Sequence, residues 1–167
     1  YLHGQSPPIV HRDLKPSNLI RRSDGQIVLV DFGAVQSRTA ATSGSTIVGT
    51  TGYMPTEQYM GRAVPASDLY ALGATLVHVM SGAHPGDLEV RDNRLVIDDV
   101  VRASSPFMNG LNALLEPAVE RRVADVQSAR AAFQTAIVAP SKPDAPEKSR
   151  PGLLLPIAAV VLICAYF

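Results

Sequence analysis

Apolar positions come in short runs over the first third of the chain and at helical spacing after it. Leu19-Ile20 and Ile27-Val28-Leu29-Val30 are β-prone, and Ser23-Asp24-Gly25-Gln26 between them is turn chemistry, so a hairpin is expected. If residues 22 and 27 flank a four-residue loop, antiparallel pairing steps outward until Asn18 stands opposite Asp31. Further on, Leu69, Leu72, Leu76 and Val79 recur at helical spacing behind Ser67-Asp68 and ahead of Gly82 and Pro85. Start, stripe and stop together predict a buried helix over about 68–81. Leu111, Leu114 and Leu115 predict a second helix stopped near Pro117, and the Ala-rich stretch at about 125–138 predicts a last one. Residues 38–51 are rich in Ser, Thr, Ala and Gly without an apolar period, and read as a mobile loop. No internal repeat is visible.

Composition divides the chain into three parts. Residues 1–138 are ordinary globular sequence. Residues 139–152 form a Pro-rich linker: five prolines, Pro140, Pro143, Pro146, Pro151 and Pro156, fall in and just past it among Ser and charges, a mix that favours solvated, extended chain. Residues 153–167 carry no charge at all. That length falls short of the roughly 20 residues that span a bilayer. The linker before it, Lys142, Lys148 and Arg150 on its globular side and the lack of a polar flank beyond it make a truncated transmembrane helix the expectation, with the globular portion cytoplasmic.

Charge and cysteine narrow the function classes. Fifteen Lys and Arg balance fifteen Asp and Glu, so there is no bulk electrostatic footprint for nucleic acid and any charge-based chemistry must be local. The single cysteine, Cys164, excludes an internal disulfide and a thiolate metal cluster. The chain opens on Tyr1 without a signal segment and reads as a piece of a longer protein.

The run His11-Arg12-Asp13-Leu14-Lys15-Pro16-Ser17-Asn18, followed by Asp31-Phe32-Gly33, resembles the catalytic loop and metal-binding motif of protein kinases. Gly49-Thr50-Thr51-Gly52-Tyr53-Met54-Pro55-Thr56-Glu57-Gln58 resembles the end of a kinase activation segment. Ser67-Asp68-Leu69-Tyr70-Ala71-Leu72-Gly73 resembles the start of the large helix beneath the active site. The Lys15-Pro16 pair is the serine/threonine form, and the whole wording resembles bacterial membrane kinases. The resemblance covers about 1–138 and implies a mainly α fold: a kinase-like C-terminal lobe with a small β-hairpin at the active site. No Gly-rich phosphate loop and no strand lysine occur in the sequence, so the N-terminal lobe is expected to be absent and the piece inactive alone.

That resemblance also implies roles. Asp13 matches the carboxylate that accepts or orients the substrate hydroxyl proton, and Lys15 the ammonium that contacts the transferred phosphate of ATP. Asn18 and Asp31 match two Mg2+ ligands, hard oxygen donors completed by phosphates and water. Arg12 matches an arginine that pairs with a phosphate on the activation segment, for which Thr39, Thr42, Ser43, Ser45 and Thr46 are unranked candidates. Thr50 matches the threonine that holds the catalytic loop and recognises a Ser or Thr acceptor. Glu57 matches a structural acid whose partner would be Arg122, or otherwise Arg121, and Asp68 a helix-start carboxylate that accepts backbone N–H groups from the catalytic loop. Pro55-Thr56-Glu57 departs from the family's usual Ala-Pro-Glu but keeps the acid.

Elsewhere the plain readings prevail. His11 is a scaffold histidine, His78 and His84 are packing or surface residues, Tyr53 and Tyr70 pack, and Asp98-Asp99 is a solvated face because adjacent residues point apart. The expected function is a membrane-anchored serine/threonine protein kinase acting on protein hydroxyls, compatible with dimerisation through regions outside this sequence. A pseudokinase scaffold and a small-molecule phosphotransferase of related fold stay open as rivals.

Overall fold

The structure, a computed structural model, describes residues 1–34 and 49–138, the side chains of 134–138 excepted. The five candidate phosphorylation positions, most of the expected mobile loop, the Pro-rich linker and the uncharged run at 153–167 with Cys164 lie outside the described residues. Among those described, no helix is long and apolar enough to cross a membrane.

Strands β1 (Leu19–Arg21) and β2 (Ile27–Leu29) form the expected hairpin, one residue out of the expected register. Leu19 pairs with Leu29 and Arg21 with Ile27. The cause is the turn. Gly25 takes φ 86°, its N–H reaches Arg22 O at 3.0 Å, and Arg22 N–H reaches Gln26 O at 2.8 Å. The loop is therefore three residues long with a left-handed glycine at its end, and Gln26 joins the ladder instead of the turn. Asn18 consequently faces Val30, whose N–H donates to Asn18 O at 2.9 Å, and Asp31 sits one residue further out.

Helix α1 (Thr56–Tyr59) is a single turn. Helix α2 (Pro65–Ser81) begins three residues earlier than its apolar stripe suggests. Pro65 is pre-set for a first helical position, and Ser67 Oγ accepts the Val64 N–H at 3.1 Å. Gly82, with φ 74°, ends it. Leu69, Leu72, Leu76 and also Ala71, Ala74 and Val77 are buried, so α2 is enclosed on most sides over its first three turns. Val79, expected on the buried stripe, is 54% exposed, because the helix has emerged from the core by its last turn.

A second hairpin, β3 (Val90–Arg91) with β4 (Arg94–Leu95), lies beyond the sequence reading. Its two-residue turn, Asp92 and Asn93, has φ 50° and 63°, the left-handed geometry these short polar side chains tolerate. Helix α3 (Ser105–Leu114) and α4 (Val126–Val138) pack closely. A Cβ at Gly110 would stand 2.9 Å from the Phe133 ring, and Phe107 meets that ring edge-on at 5.1 Å. Gly73 gives the same close approach between α2 and Leu114. One apolar core thus joins α2, α3 and α4 and reaches Leu14, which hangs the loop at 11–18 on the helical body. The fold is mainly helical with two small antiparallel hairpins.

Candidate active site

Residues 11–18 cross the N-terminal end of α2, held there by one carboxylate. Asp68, in the first turn of α2 and fully buried, accepts His11 N–H through Oδ2 and Arg12 N–H through Oδ1, each at 2.8 Å. His3 Nε2 lies 2.9 Å from Oδ2. Arg12 sits at φ 72°, a left-handed conformation that costs a long side chain roughly 1–3 kcal/mol. Two charge-assisted bonds of about 1.5–3 kcal/mol each offset that strain. Gln58 Nε2 donates to Arg12 O and closes the turn from the other side. The Arg12 side chain is buried, 9% exposed overall, and its Nε has no hydrogen-bond partner among the described residues.

The left-handed turn delivers Asp13 to a polar cluster. Thr50 donates its hydroxyl proton to Asp13 Oδ1 at 2.6 Å. Lys15 Nζ donates to Thr50 Oγ1 at 2.7 Å and stands 2.8 Å from Asp13 Oδ2. Asn18 Nδ2 donates to Asp13 O at 2.8 Å and to Oδ2 at 3.1 Å. Burial pushes the Asp13 carboxyl up, but the Lys15 hydrogen bond and charge, with those of Thr50 and Asn18, outweigh it and hold the group below its ordinary value. Asp13 is therefore an anion at neutral pH. Pro16–Asn18 is one 3-10 turn, which brings Asn18 back beneath Asp13.

Asp31 stands apart from this cluster. It is exposed, at φ 63°, and its Oδ1 accepts the Gly33 N–H at 3.2 Å. Phe32, 49% exposed, meets the His11 ring edge-on at 5.1 Å. Asn18 and Asp31 share the open end of the first hairpin but are not cross-strand partners. Their donor chemistry suits magnesium. The Asn18 amide spends its nitrogen on Asp13 and keeps its oxygen, and Asp31 has a second carboxylate oxygen. No group of three or more His, Cys, Asp or Glu side chains placed to hold a metal occurs among the described residues, so these two oxygens would rely on phosphate and water to complete a shell.

The structural pair resolves to Arg122. Its Nη1 lies 2.7 Å from Glu57 Oε1, and its other donors reach Ala66 O, Glu116 O and Pro117 O. The guanidinium also lies 5.0 Å over the Tyr70 ring. Arg121 bonds Glu116 instead. Burial pushes the Glu57 carboxyl up, yet Arg122 and the Ser67 hydroxyl more than reverse this and hold it low.

Sequence reasoning missed one polar cluster. Tyr53, His78 and His84 meet: the Tyr53 phenol bonds His78 Nδ1, and the His84 ring stands edge-on to Tyr53 at 5.2 Å. A buried phenol usually finds a hydrogen-bond partner, which was the available signal, but the partner stands 25 positions away in the chain.

An ionised carboxylate is thus clamped by an amine, a hydroxyl and an amide beside the first hairpin, with the large buried helix α2 behind it. Residues 1–131 match the family model described as protein kinase domain, and the chain belongs to that family. It is 38% identical over 140 residues to serine/threonine-protein kinase B of Synechocystis sp., a match covering 76% of this chain and 24% of that protein. It is 34% identical over 157 residues to serine/threonine-protein kinase D of the same organism, covering 87% and 31%. Against serine/threonine-protein kinase PknA of Nostoc sp., identity is 45% over 97 residues, covering 53% and 17%. The chain thus spans less than a third of the length of these bacterial relatives.

Proposed function

We propose that this chain is the C-terminal lobe of a serine/threonine protein kinase that moves the γ-phosphate of ATP to Ser and Thr hydroxyls of other proteins. The observation that carries the reading is the Asp13–Lys15–Thr50–Asn18 cluster, four side chains from two segments converging on one carboxylate. Little covalent chemistry falls to the protein in phosphoryl transfer, so position and charge must supply the rate. Asp13, held ionised, orients the acceptor hydroxyl and takes its proton. As the acceptor oxygen bonds the γ-phosphorus, the bond from phosphorus to the β–γ bridging oxygen breaks and ADP leaves. Lys15 turns from Thr50 toward the transferred phosphate and offsets its charge. Asn18 and Asp31 are the residues that would hold magnesium, which supplies charge neutralisation to the phosphates. Arg12, whose Nε has no hydrogen-bond partner among the described residues, receives a phosphate on the activation segment.

The lobe covering ATP comes, in this reading, from polypeptide outside these residues. Ile20, 51% exposed, and Phe32 flank the Asn18 and Asp31 end of the hairpin and form apolar surface suited to such a cover. Without it the piece would bind ATP poorly. The reading extends to a membrane helix at 153–167 with the kinase portion on the cytoplasmic side, supported by the uncharged run and the basic residues before it.

The test is phosphate incorporation from labelled ATP into a protein acceptor by the full-length protein. Magnesium-dependent label on Ser or Thr, lost in Asp13→Ala with thermal stability retained, is expected. Incorporation unchanged by that substitution would reject the assignment, and its absence from the wild type would favour a scaffold.

A further inference from the structure

Thr50 must hold its position between Asp13 and Lys15 although the chain around it is neither helix nor strand. Gly49 and Gly52 flank it at φ 132° and 91°, conformations that glycine adopts readily and other residues do not. The upstream side is wedged: a Cβ at Gly49 would fall 2.8 Å or less from Gln58, Met54 and Arg12 O. Downstream, the anchor is a set of aromatic rings that the phosphoryl chemistry does not use.

Tyr53 N–H donates to Thr50 O at 3.2 Å and closes a turn on the threonine. The Tyr53 ring is buried, and its phenol bonds His78 Nδ1 on the last turn of α2. His84 packs edge-on to Tyr53 at 5.2 Å and to His78 at 5.7 Å. His84 is itself fixed, since its Nδ1 accepts the Gly86 N–H at 3.1 Å. Gly52 lies flush on the same turn, where a Cβ would come within 2.6 Å of Gly86 N. Burial pushes the Tyr53 phenol up, so at neutral pH it carries its proton and can donate to His78 Nδ1.

We propose that Tyr53 and His78 are positioning residues for Thr50, tying the segment end to the C-terminal turn of α2 through a phenol donated to an imidazole held with its proton on Nε2. This deepens the kinase reading and rests on it for its kinetic consequence. Asp13 and Lys15 touch the reacting groups; Tyr53 and His78 act only through Thr50.

The test uses the full-length protein. Tyr53→Phe keeps the ring and deletes the donor. It is expected to lower kcat toward a protein acceptor by roughly five- to tenfold, the worth of one buried hydrogen bond, with KM for ATP unchanged. His78→Leu should match it, and His78→Gln, which restores an acceptor oxygen, should recover most of the loss. Independently, the 15N spectrum of His78 in the wild type should show an unprotonated Nδ1, moving in Tyr53→Phe. Wild-type kcat in both Tyr53→Phe and His78→Leu, failure of His78→Gln to recover activity lost in His78→Leu, or a proton on Nδ1 of His78 would each overturn the proposal. Should the wild type transfer no phosphate at all, the kinase reading fails, while the imidazole spectrum still decides the Tyr53–His78 linkage.

Discussion

Thr50 is the residue on which the site's two segments meet, since its hydroxyl bonds both Asp13 and Lys15. Thr50→Ala should leave the Asp13 carboxylate and Lys15 ammonium without their shared spacer and lower kcat roughly tenfold, whereas Thr50→Ser should retain most activity; steady-state kinetics on a protein acceptor would show the split. Glu57 makes a prediction about stability. Its carboxyl is held below the ordinary value chiefly by Arg122 and Ser67 against the opposing effect of burial. A depressed folded-state pKa means that the contribution is complete above the ordinary carboxylate range and is lost as pH falls through the folded value. Arg122→Met should therefore cost about 3–5 kcal/mol at neutral pH, by stranding Glu57, and noticeably less in acid where Glu57 is protonated. Urea titrations at neutral and acidic pH would read that difference. The pairing of Glu57 with an arginine was legible in the sequence, because the acid and both candidate arginines stand in recognisable places. Which arginine wins depends on Ala66, Glu116 and Pro117 carbonyls gathered by the fold, which no local pattern records.

At the scale of elements, apolar period found α2 and α3, and the Ala-rich stretch found α4 close to its observed limits, whereas the start of α2 was missed. The stripe in α2 misled at both ends: Pro65 starts the helix before the first leucine, and Val79 follows the spacing yet faces solvent. Period reports which residues could share a face, whereas burial depends on what packs there. The first hairpin was legible as an element, while its register turned on one glycine, since a three-residue loop and a four-residue loop share the same letters. The second hairpin carried its signal in Asp92-Asn93 between short β-prone pairs, too brief for periodicity to register. The α3–α4 contact depends on Gly110. Gly110→Ala would drive a methyl to 2.9 Å from the Phe133 ring and should lower stability by about 1–3 kcal/mol, measurable as a fall in the unfolding midpoint.

At the scale of the whole described structure, one buried helix anchors three segments of the candidate site. Asp68 at the start of α2 clamps the loop that carries Asp13, Ser67 and Ala66 in the same turn engage the Glu57–Arg122 pair, and His78 near its end meets Tyr53. Asp13, Lys15 and Asn18 share one loop and were picked out together by the family resemblance that this loop carries. The convergence of Thr50 on them, across 37 positions from Asp13, came only with the family resemblance. The exposed Ile20 and Phe32 carry a prediction at this scale. In the full-length protein, ATP with magnesium should slow amide hydrogen exchange at 18–33 while leaving the α3–α4 region unchanged.

In the proposed kinase reading, the Asp13 carboxylate, clamped as it is, performs the proton step of phosphate transfer from ATP to a hydroxyl. Its most direct measurement compares wild-type full-length protein with Asp13→Asn, which keeps the shape and removes the charge, in single-turnover transfer to a protein acceptor alongside ATP affinity. The transfer rate should fall by about 10²–10⁴ with ATP affinity nearly unchanged. An Asp13→Asn protein that transfers phosphate at the wild-type rate would contradict the account.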